Sequence, residues 1–315
     1  MAKPQCSILM SIYNESEGYI RESITSILNQ TFSDFELIII IDNPLRSDVA
    51  QIISEYNDDR IKIDFNEKNI GLALSMNRAF NLASTDIIVR MDADDVAVLS
   101  RLEEQVPLIM SGKYDFVFSD YSFIDSNSNA IARSSGILID KDEDLNKKIQ
   151  LACMIHHPTV AFTRDIFQKA GGYRNFPCAQ DLDLWLRMAE KGCRFGYLDH
   201  KLLRYRVNEK STSSQKWHKQ HLITQYIYEL SLERLKKGTD SYSEKDFETY
   251  LKRWGDGDEK KLKKLRDNYD RLDKALCYRL SGHPYKSFIM RLLVFISSDV
   301  YRRHYLVMRD KKKYL

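Results

Sequence analysis

The residues from Met91 to Asp95 place three carboxylates on one short stretch, directly after the apolar run 87–89. Carboxylates this close repel one another by about 1 kcal/mol or more each, so the stretch needs positive charge beside it. Mg2+ and Mn2+ supply such charge, and they bind one or two protein carboxylates together with water and phosphate oxygens. The stretch therefore predicts a metal–diphosphate site. The alternative is an acidic turn that caps a helix over 99–110.

Short apolar runs alternate with helical patterns through residues 7–118. The predicted strands are Ser7–Ile12, Leu37–Ile41, Ile61–Phe65, Ile87–Met91 and Phe116–Phe118. The apolar helix faces are Ile20, Ile24, Ile27 and Leu28 on the first helix, and Ala73, Met76, Phe80 and Ala83 on another. Asn14, with Glu17 three residues later, predicts a capping box at the start of the first helix.

Near-continuous apolar strands separated by amphipathic helices predict an α/β fold, with a mostly parallel sheet covered on both faces. Ligands bind beyond the carboxyl ends of the strands in such sheets. Ser11, Asp42 and Asp92 all fall at such ends. Their convergence supports a nucleotide-type site.

Charge divides the 315-residue chain into two regions. Residues 1–200 hold 20 Lys/Arg against 30 Asp/Glu, a balance of −10, whereas residues 201–315 hold 28 against 15, a balance of +13. The length suits one sizeable α/β domain with an appendage. We therefore predict two regions with different roles, a first domain over 1–215 and a basic helical region over 216–315.

The cysteines and the chain start predict a cytoplasmic protein. The five cysteines form no C-x-x-C pair, which is typical of free thiols in a reducing compartment. The sequence Ala2-Lys3-Pro4 runs directly into a strand and leaves no room for a signal peptide. The most apolar run, 288–296, is interrupted by Arg291 and is too short to span a bilayer.

A series of short motifs follows one order along the chain from Cys6 to Ser214. They are SIYNE at 11–15, NQTF at 29–32, FELI at 35–38, DN at 42–43, NIGLA at 69–73, RMDADD at 90–95, RLE at 101–103, HP at 157–158, GGY at 171–173 and QDLDLWL at 180–186. This series resembles that of the family 2 inverting glycosyltransferases of the bacterial capsule or surface-polysaccharide type. The resemblance implies a GT-A fold, which is a Rossmann-like mixed sheet flanked by helices. It also implies a UDP-sugar donor, Mn2+ or Mg2+ as cofactor, and a glycan or polyprenyl-linked acceptor.

The resemblance also assigns residues to the donor and the metal. It implies nucleotide-binding roles for Ser11, Tyr13, Glu15, Asp42, Asn69, Gly71, Arg78, Asp92 and Ala93, and metal ligation by Asp92 and Asp94. Tyr13 would stack on the uracil and Asp42 would accept its N3–H; the alternatives are a core aromatic and a turn residue. Ile41 departs from the family, where an aspartate is common. Arg78 would face the diphosphate or the solvent, and Asp95 would cap the next helix.

Inverting transfer requires a base on the acceptor side, and the resemblance places it at Asp181. The alternative is that Asp181 is a helix N-cap. His157 and Asp183 would be acceptor-side or structural residues. Asn208 stands where the family often carries a histidine near the diphosphate. Either the segment 209–215 supplies another group, such as Lys210 or Ser211, or closure over the donor is looser in this protein.

The region after Trp217 has helical periodicity, with one helix predicted over Phe288–Val307. Aromatic and aliphatic residues lie there among basic residues of the segment 286–313, a pattern typical of peripheral contact with an anionic membrane. The alternative is packing against the catalytic domain or against a second copy in a homodimer. The membrane interpretation places the protein at the inner face of the cell membrane.

The sequence therefore predicts a metal-dependent inverting glycosyltransferase. A sugar nucleotidyltransferase is one alternative, although this chain has no Gly-rich phosphate loop near the first strand. A non-catalytic glycan-binding scaffold is another. The acidic first region and the lack of a recognised module argue against a nucleic-acid partner.

Overall fold

The computed structural model describes residues 3–137, 139, 144–152, 154–207, 217–254 and 257–315. The chain divides into two compact units, Met1–Ser211 and Thr212–Leu315. Asn208, Lys210 and Ser211 lie outside the described residues.

The first unit is built on one mixed sheet, and nine strands of it fall in the described ranges. They are β1 Cys6–Ile12, β2 Phe35–Ile41, β3 Ile61–Phe65, β4 Ile87–Asp92, β5 Val96–Ala97, β6 Phe116–Ile124, β7 Ala130–Ile131, β8 Val160–Thr163 and β9 Phe195–Arg206. The strand order is β3-β2-β1-β4-β8-β6-β9-β5, with β7 paired to β6. Strands β3, β2, β1 and β4 are parallel, and β8 runs antiparallel to both β4 and β6.

Seven helices accompany these strands in the described part of the first unit. They are α1 Glu17–Leu28, α2 Ser47–Ser54, α3 Leu72–Leu82, α4 Arg101–Met110, α5 Leu145–Leu151, α6 Arg164–Ala170 and α7 Gln180–Glu190. The predicted α/β class, with a mixed sheet flanked by helices, is confirmed.

The alternation of side chains along β2 explains why both faces of the sheet are covered. Ile39 points into a core that includes Ile20, Ile24 and Ile27 of α1, whereas its neighbour Ile38 points into the opposite core. That second core contains Ala73, Met76 and Phe80 of α3. Successive residues of a strand face opposite sides, so a run of four isoleucines requires a helix on each side.

Two predicted helix starts are wrong. Helix α1 begins at Glu17 with Ser16 as its N-cap, and the Ser16 hydroxyl accepts a hydrogen bond from the Tyr19 N–H. Asn14 instead accepts a hydrogen bond from the Asn43 side chain across the strand ends. Helix α4 begins at Arg101 after Ser100, so Asp95 does not cap it.

The second unit is helical. Its described helices are α8 Trp217–Lys237, α9 Glu244–Trp254, α10 Glu259–Leu280, α11 Pro284–Ser297 and α12 Asp299–Lys311. The prediction of a single helix over 288–307 is wrong, because the helix is interrupted at Ser298. The Ser298 hydroxyl caps α12 by accepting a hydrogen bond from the Tyr301 N–H at 3.2 Å. Among the described residues, no helix combines the length and apolar composition that crossing a bilayer requires.

A buried carboxylate ties together the amino-terminal ends of the parallel strands. Glu36 accepts hydrogen bonds from Ser7 Oγ at 2.5 Å, from Ser84 N at 2.6 Å and from Lys62 Nζ at 2.6 Å. Burial alone would raise the pKa of Glu36, but the bonds from Lys62, Ser7 and Ser84 outweigh it and lower the pKa. The ionised carboxylate therefore stabilises this end of the sheet.

We predict that Glu36→Gln destabilises the protein by about 1.5 to 3 kcal/mol near neutral pH, because charge-assisted hydrogen bonds are lost. A lowered folded-state pKa contributes stability above the unfolded pKa of about 4.3, and this contribution disappears as the pH falls through the folded value. The difference from the wild type should therefore shrink in acid. Chemical denaturation across pH tests this, with the exposed Glu67→Gln as control. A constant difference at every pH would contradict the assignment.

Candidate active site

The carboxyl ends of the parallel strands bring the predicted groups to one edge of the sheet. In the strand register, Ser11 pairs with Asp92 and Ile12 pairs with Ile41, which directly precedes Asp42. The Asp42 N–H continues the ladder by donating to the Ile12 carbonyl at 2.8 Å. Residues from β1, β2 and β4 therefore form one continuous site.

The three carboxylates that follow β4 have different surroundings. Asp92 forms an ion pair with Arg90, whose side chain is buried. Asp95 is fully buried, and its Oδ1 accepts from the Arg206 backbone N–H at 2.9 Å. Asp94 is half-buried, and no described side chain donates a hydrogen bond to its carboxylate.

The ionised form of the Asp94 carboxylate is disfavoured by its surroundings. Burial, followed by the charges of Asp92 and Glu15, raises the pKa of Asp94 to about 7. The pKa of Glu15 is raised as well, mainly by burial. A cation that binds Asp94 would offset this penalty, because opposite charge favours the ionised form.

The residues at this turn fit a hard divalent cation held mainly by substrate oxygens. In the described part of the chain, no group of three or more His, Cys, Asp or Glu side chains is arranged to hold a metal. Mg2+ commonly takes one or two carboxylates together with phosphate oxygens and water. Asp94, with the free side of Asp92, offers such a donor set, so these residues could hold the ion only together with a ligand.

Arg206 holds the acidic turn in place, a role that the sequence did not reveal. Its guanidinium is buried and donates to the Asp94 carbonyl at 2.7 Å, to the Asp125 carbonyl at 2.9 Å and to Ser128 Oγ at 2.9 Å. It also pairs with Glu22 of α1. The end of β9, helix α1 and the acidic turn are therefore joined through one side chain.

Asp42 organises the loop before α3. Its carboxylate is buried and accepts from Asn66 Nδ2 at 2.8 Å, from Ile70 N at 2.9 Å and from Gly71 N at 2.9 Å. A carboxylate offers about four acceptor positions, so room remains for about one donor from a ligand. Gly71 has a φ of 85°, a conformation that glycine adopts without a steric cost.

Asn69 and Arg78 support the same loop. The Asn69 side chain accepts from the Gly71 N–H at 3.0 Å. Arg78 donates to Asp64 at 2.7 Å and to Asn66 Oδ1 at 2.9 Å. Arg78 thus positions the asparagine that bonds Asp42, and its guanidinium contacts these protein groups.

Tyr13 lies at the mouth of the site. Its side chain is 42% exposed, so it is not a core aromatic and its ring presents a face to solvent. Its backbone is fixed on both sides, because its N–H donates to Glu15 at 2.7 Å and its carbonyl accepts from Asn43 at 3.3 Å. An exposed ring on a fixed backbone is suited to stacking on a planar base.

Asp181 lies in the first turn of α7 and is not its N-cap. The N-cap is Ala179, which has a φ of 55° and makes no side-chain capping bond. The half-buried Asp181 carboxylate accepts only from its neighbour's Leu182 N–H, at 2.9 Å, among the described groups. Burial raises its pKa, while the charge of Arg90 lowers it and that of Asp92 raises it. Asp181 therefore faces the same charges as the acidic turn.

The other predicted acceptor residues are buried. Asp183 is fully buried and pairs with Arg187 at 2.7 Å, which gives an acceptor no access to it. The buried His157 ring bonds Tyr173 Oη through Nε2 at 2.8 Å, and burial keeps the pKa of His157 well below its usual value. Both are structural residues here.

His156 packs between two tyrosines, away from the partner of His157. Its ring stacks on Tyr121 with centroids 4.6 Å apart and meets Tyr205 edge-on at 4.3 Å. Burial lowers its pKa to about 4, with Asp92 and Arg90 as the charges acting on it. His156 is therefore neutral near pH 7 and packs as an aromatic ring.

Comparison with known proteins agrees with this geometry. The model of the family described as glycosyl transferase family 2 matches residues 7–171, which is more than half of the chain. The chain belongs to glycosyl transferase family 2. It is therefore a glycosyltransferase, and the sugar nucleotidyltransferase and scaffold alternatives are wrong.

Two relatives from Escherichia coli have assigned names. The O-antigen biosynthesis glycosyltransferase WbnJ is 34% identical over 65% of this chain and 81% of its own length. The UDP-Glc:alpha-D-GlcNAc-diphosphoundecaprenol beta-1,3-glucosyltransferase WfgD is 29% identical over 67% of this chain and 79% of its own length.

A solved structure shares the fold. The crystal structure of S. aureus TarS 1-349 in complex with UDP-GlcNAc superposes with a TM-score of 0.61 at 18% identity. The match covers 78% of this chain and 70% of that chain. At this identity the likeness shows the fold alone.

We predict that Arg206→Met destabilises this glycosyltransferase by about 3 to 5 kcal/mol, because Glu22 is left without its buried partner. Arg206→Lys should restore part of the loss, since it keeps the charge but not the planar fork. Arg204→Met, on the same strand but exposed, should change stability by less than about 0.5 kcal/mol. Chemical denaturation of the three variants decides this, and equal effects at positions 204 and 206 would exclude the anchoring role.

Proposed function

We propose that the protein is an inverting, metal-dependent transferase that moves a sugar from a UDP-sugar to a glycan or lipid-linked acceptor in surface-polysaccharide synthesis. The observation that carries the proposal is the carboxylate of Asp94, which lies in the acidic turn at the strand ends without a described side-chain partner. The names of WbnJ and WfgD support the pathway and the acceptor class.

The donor would bind along the edge formed by β1, β2 and β4. Tyr13 offers a ring face to the uracil, and Asp42 retains acceptor capacity for its N3–H. Ser11 and Glu15 lie on the same edge, next to Asp92 and Tyr13. TarS shares this fold and was solved in complex with UDP-GlcNAc, which supports a UDP-sugar as the donor.

Asp94 and Asp92 would hold Mn2+ or Mg2+ against the diphosphate, with Ala93 between them. Such an ion neutralises the charge that develops on the departing UDP. Arg90 keeps Asp92 oriented from the buried side, and Arg206 fixes the backbone of Asp94. The chain thus fixes the ligand positions before the ion and the nucleotide arrive.

Asp181 would take the proton of the acceptor hydroxyl as that oxygen attacks the anomeric carbon. A single displacement by an oxygen on the face opposite UDP inverts the configuration. The raised pKa of Asp181 suits a general base, because burial makes its carboxylate a better proton acceptor. Its only described hydrogen bond comes from the adjacent Leu182 N–H, so one oxygen remains available.

A lipid-linked acceptor would place the enzyme at the cytoplasmic face of the membrane. The WfgD name specifies a GlcNAc-diphosphoundecaprenol acceptor for that relative, and we extend this class of acceptor to the present chain. The basic balance of residues 201–315 supports peripheral attachment to anionic lipid.

We predict that UDP binding depends on the metal through Asp94. Calorimetric titration of UDP should give an affinity at least roughly tenfold higher with Mn2+ or Mg2+ than with EDTA, since an ion held by Asp94 would offset the charge of the diphosphate. Asp94→Ala should abolish this difference. Asp86→Ala removes a carboxylate that is 97% exposed and should leave it unchanged. Equal affinity with and without metal would refute the metal assignment.

We predict that Asp181→Asn lowers transfer by roughly 10²- to 10⁴-fold, the usual contribution of a positioned general base. The UDP affinity and the melting temperature should stay close to the wild type, because the side chain does not cap α7 and its described hydrogen bond is to Leu182 N–H, not to a residue predicted to bind the nucleotide. A synthetic GlcNAc-diphospholipid with a panel of UDP-sugars serves as the assay.

Asp183→Asn is the matched control for this measurement. It removes one partner of a fully buried ion pair, so it should lower the melting temperature strongly, in line with a loss of about 3 to 5 kcal/mol. Near-normal transfer by Asp181→Asn would place the base elsewhere. A loss of stability equal to that of Asp183→Asn would assign Asp181 a structural role.

A further inference from the structure

Helix α11 exposes a continuous apolar face. The residues of this face recur at the helical spacing i, i+3, i+4, i+7, i+8 and i+11. They are Tyr285, Phe288, Ile289, Leu292, Leu293 and Ile296, with exposed fractions from 44% to 84%. We call this set the α11 face. Apolar side chains left in water at this density mark an interaction surface.

The opposite side of α11 is the packed side. Ser287 is 4% exposed and Val294 is fully buried. Small or polar residues on the packed side and large apolar ones on the exposed side reverse the arrangement expected for a surface helix of a globular protein. Packing within the second unit therefore does not explain why the residues of the α11 face are apolar.

The charge around the α11 face is positive. Helix α11 carries Lys286 and Arg291 and no acidic residue. The segment 286–315 holds eight Lys or Arg against two Asp. Basic residues beside an apolar helix face attract anionic headgroups, with each cation near the surface adding to the affinity.

We propose that the α11 face is a docking surface for an anionic phospholipid bilayer, on which the helix lies flat with these six side chains in the interfacial region. This inference names the surface for the peripheral attachment proposed above and rests on that location. Tyr285 and Phe288 at the start of the helix suit the headgroup boundary, where aromatic side chains are enriched.

A second copy of the chain fits the α11 face less well. A symmetric pairing through the α11 face would bring Lys286 and Arg291 of both copies together, and like charges at a rim are unfavourable. An anionic bilayer instead offers these two residues opposite charge.

Vesicle flotation of the full-length protein tests the proposal. The wild type should bind vesicles of about three parts phosphatidylcholine to one part phosphatidylglycerol, and bind pure phosphatidylcholine more weakly, because anionic lipid attracts the basic residues. Phe288→Ser/Leu292→Ser should lower the partition coefficient by about 100-fold, since each buried apolar side chain contributes roughly tenfold. Lys286→Gln/Arg291→Gln should reduce the preference for anionic vesicles.

The control is Leu99→Ser/Met110→Ser, which removes two apolar residues of similar exposure, 57% and 56%, from the first unit. It should float like the wild type, and all variants should keep the wild-type melting temperature and UDP affinity. Loss of flotation confined to the α11 variants supports the proposal. If Phe288→Ser/Leu292→Ser binds vesicles as well as the wild type does, the α11 face is not the lipid-binding surface, although the proposed attachment of the protein to the membrane would stand.

Two other outcomes also decide the question. If the wild type fails to float with either vesicle, both the location and the α11 face as a lipid surface are overturned, while the transfer assay still tests the catalytic proposal separately. If Phe288→Ser/Leu292→Ser abolishes a dimer seen by sedimentation and does not change flotation, the occupant is a second copy and the lipid proposal fails.

Discussion

The balance of charge at the end of β4 is the constraint on which the rest of the site depends. Three carboxylates occupy four consecutive positions, and the fold compensates their charge only in part. Arg90 pairs with Asp92, and Arg206 donates to Asp95 and to the Asp94 carbonyl. Arg101 lies behind them, fully buried, and donates to the Arg90 carbonyl at 2.8 Å. Burial and the neighbouring carboxylates raise the pKa of both Asp94 and Asp95, and of these two only Asp94 is partly exposed to a ligand.

The sequence predicted the elements and failed at the contacts between distant segments. Strands β1 to β4 and the buried faces of α1 and α3 followed from apolar periodicity, which is a local signal. Arg206 lies 112 residues from the carbonyl that it bonds, and nothing near it in the sequence indicates that partner. The sequence placed Asp42 correctly at a strand end. It did not indicate the hydrogen bonds from Ile70 N and Gly71 N to Asp42, because these join residues far apart in the chain.

Local sequence patterns were also insufficient at the start of α7 and at the two adjacent histidines. An aspartate before an amphipathic helix is a common N-cap, yet the left-handed backbone at Ala179 starts the helix one residue before Asp181 and leaves that carboxylate in the first turn. A non-glycine residue in this conformation costs about 1 to 2 kcal/mol. Strain of this kind is often found at functional sites. His156 and His157 also differ in their surroundings: His156 packs against Tyr121 and Tyr205, whereas His157 bonds Tyr173 in the core.

The division of charge along the chain gives residues 1–200 and residues 201–315 opposite responses to a charged surface. An anionic surface attracts residues 201–315, with their balance of +13, and repels residues 1–200, with their balance of −10. These forces act within about a Debye length, roughly 8 to 10 Å at physiological salt. Under the proposed function, the basic residues would therefore meet the lipid, and a diphosphate would enter the acidic turn together with a cation. The same uneven distribution of charge would then serve both the attachment and the metal dependence that we propose.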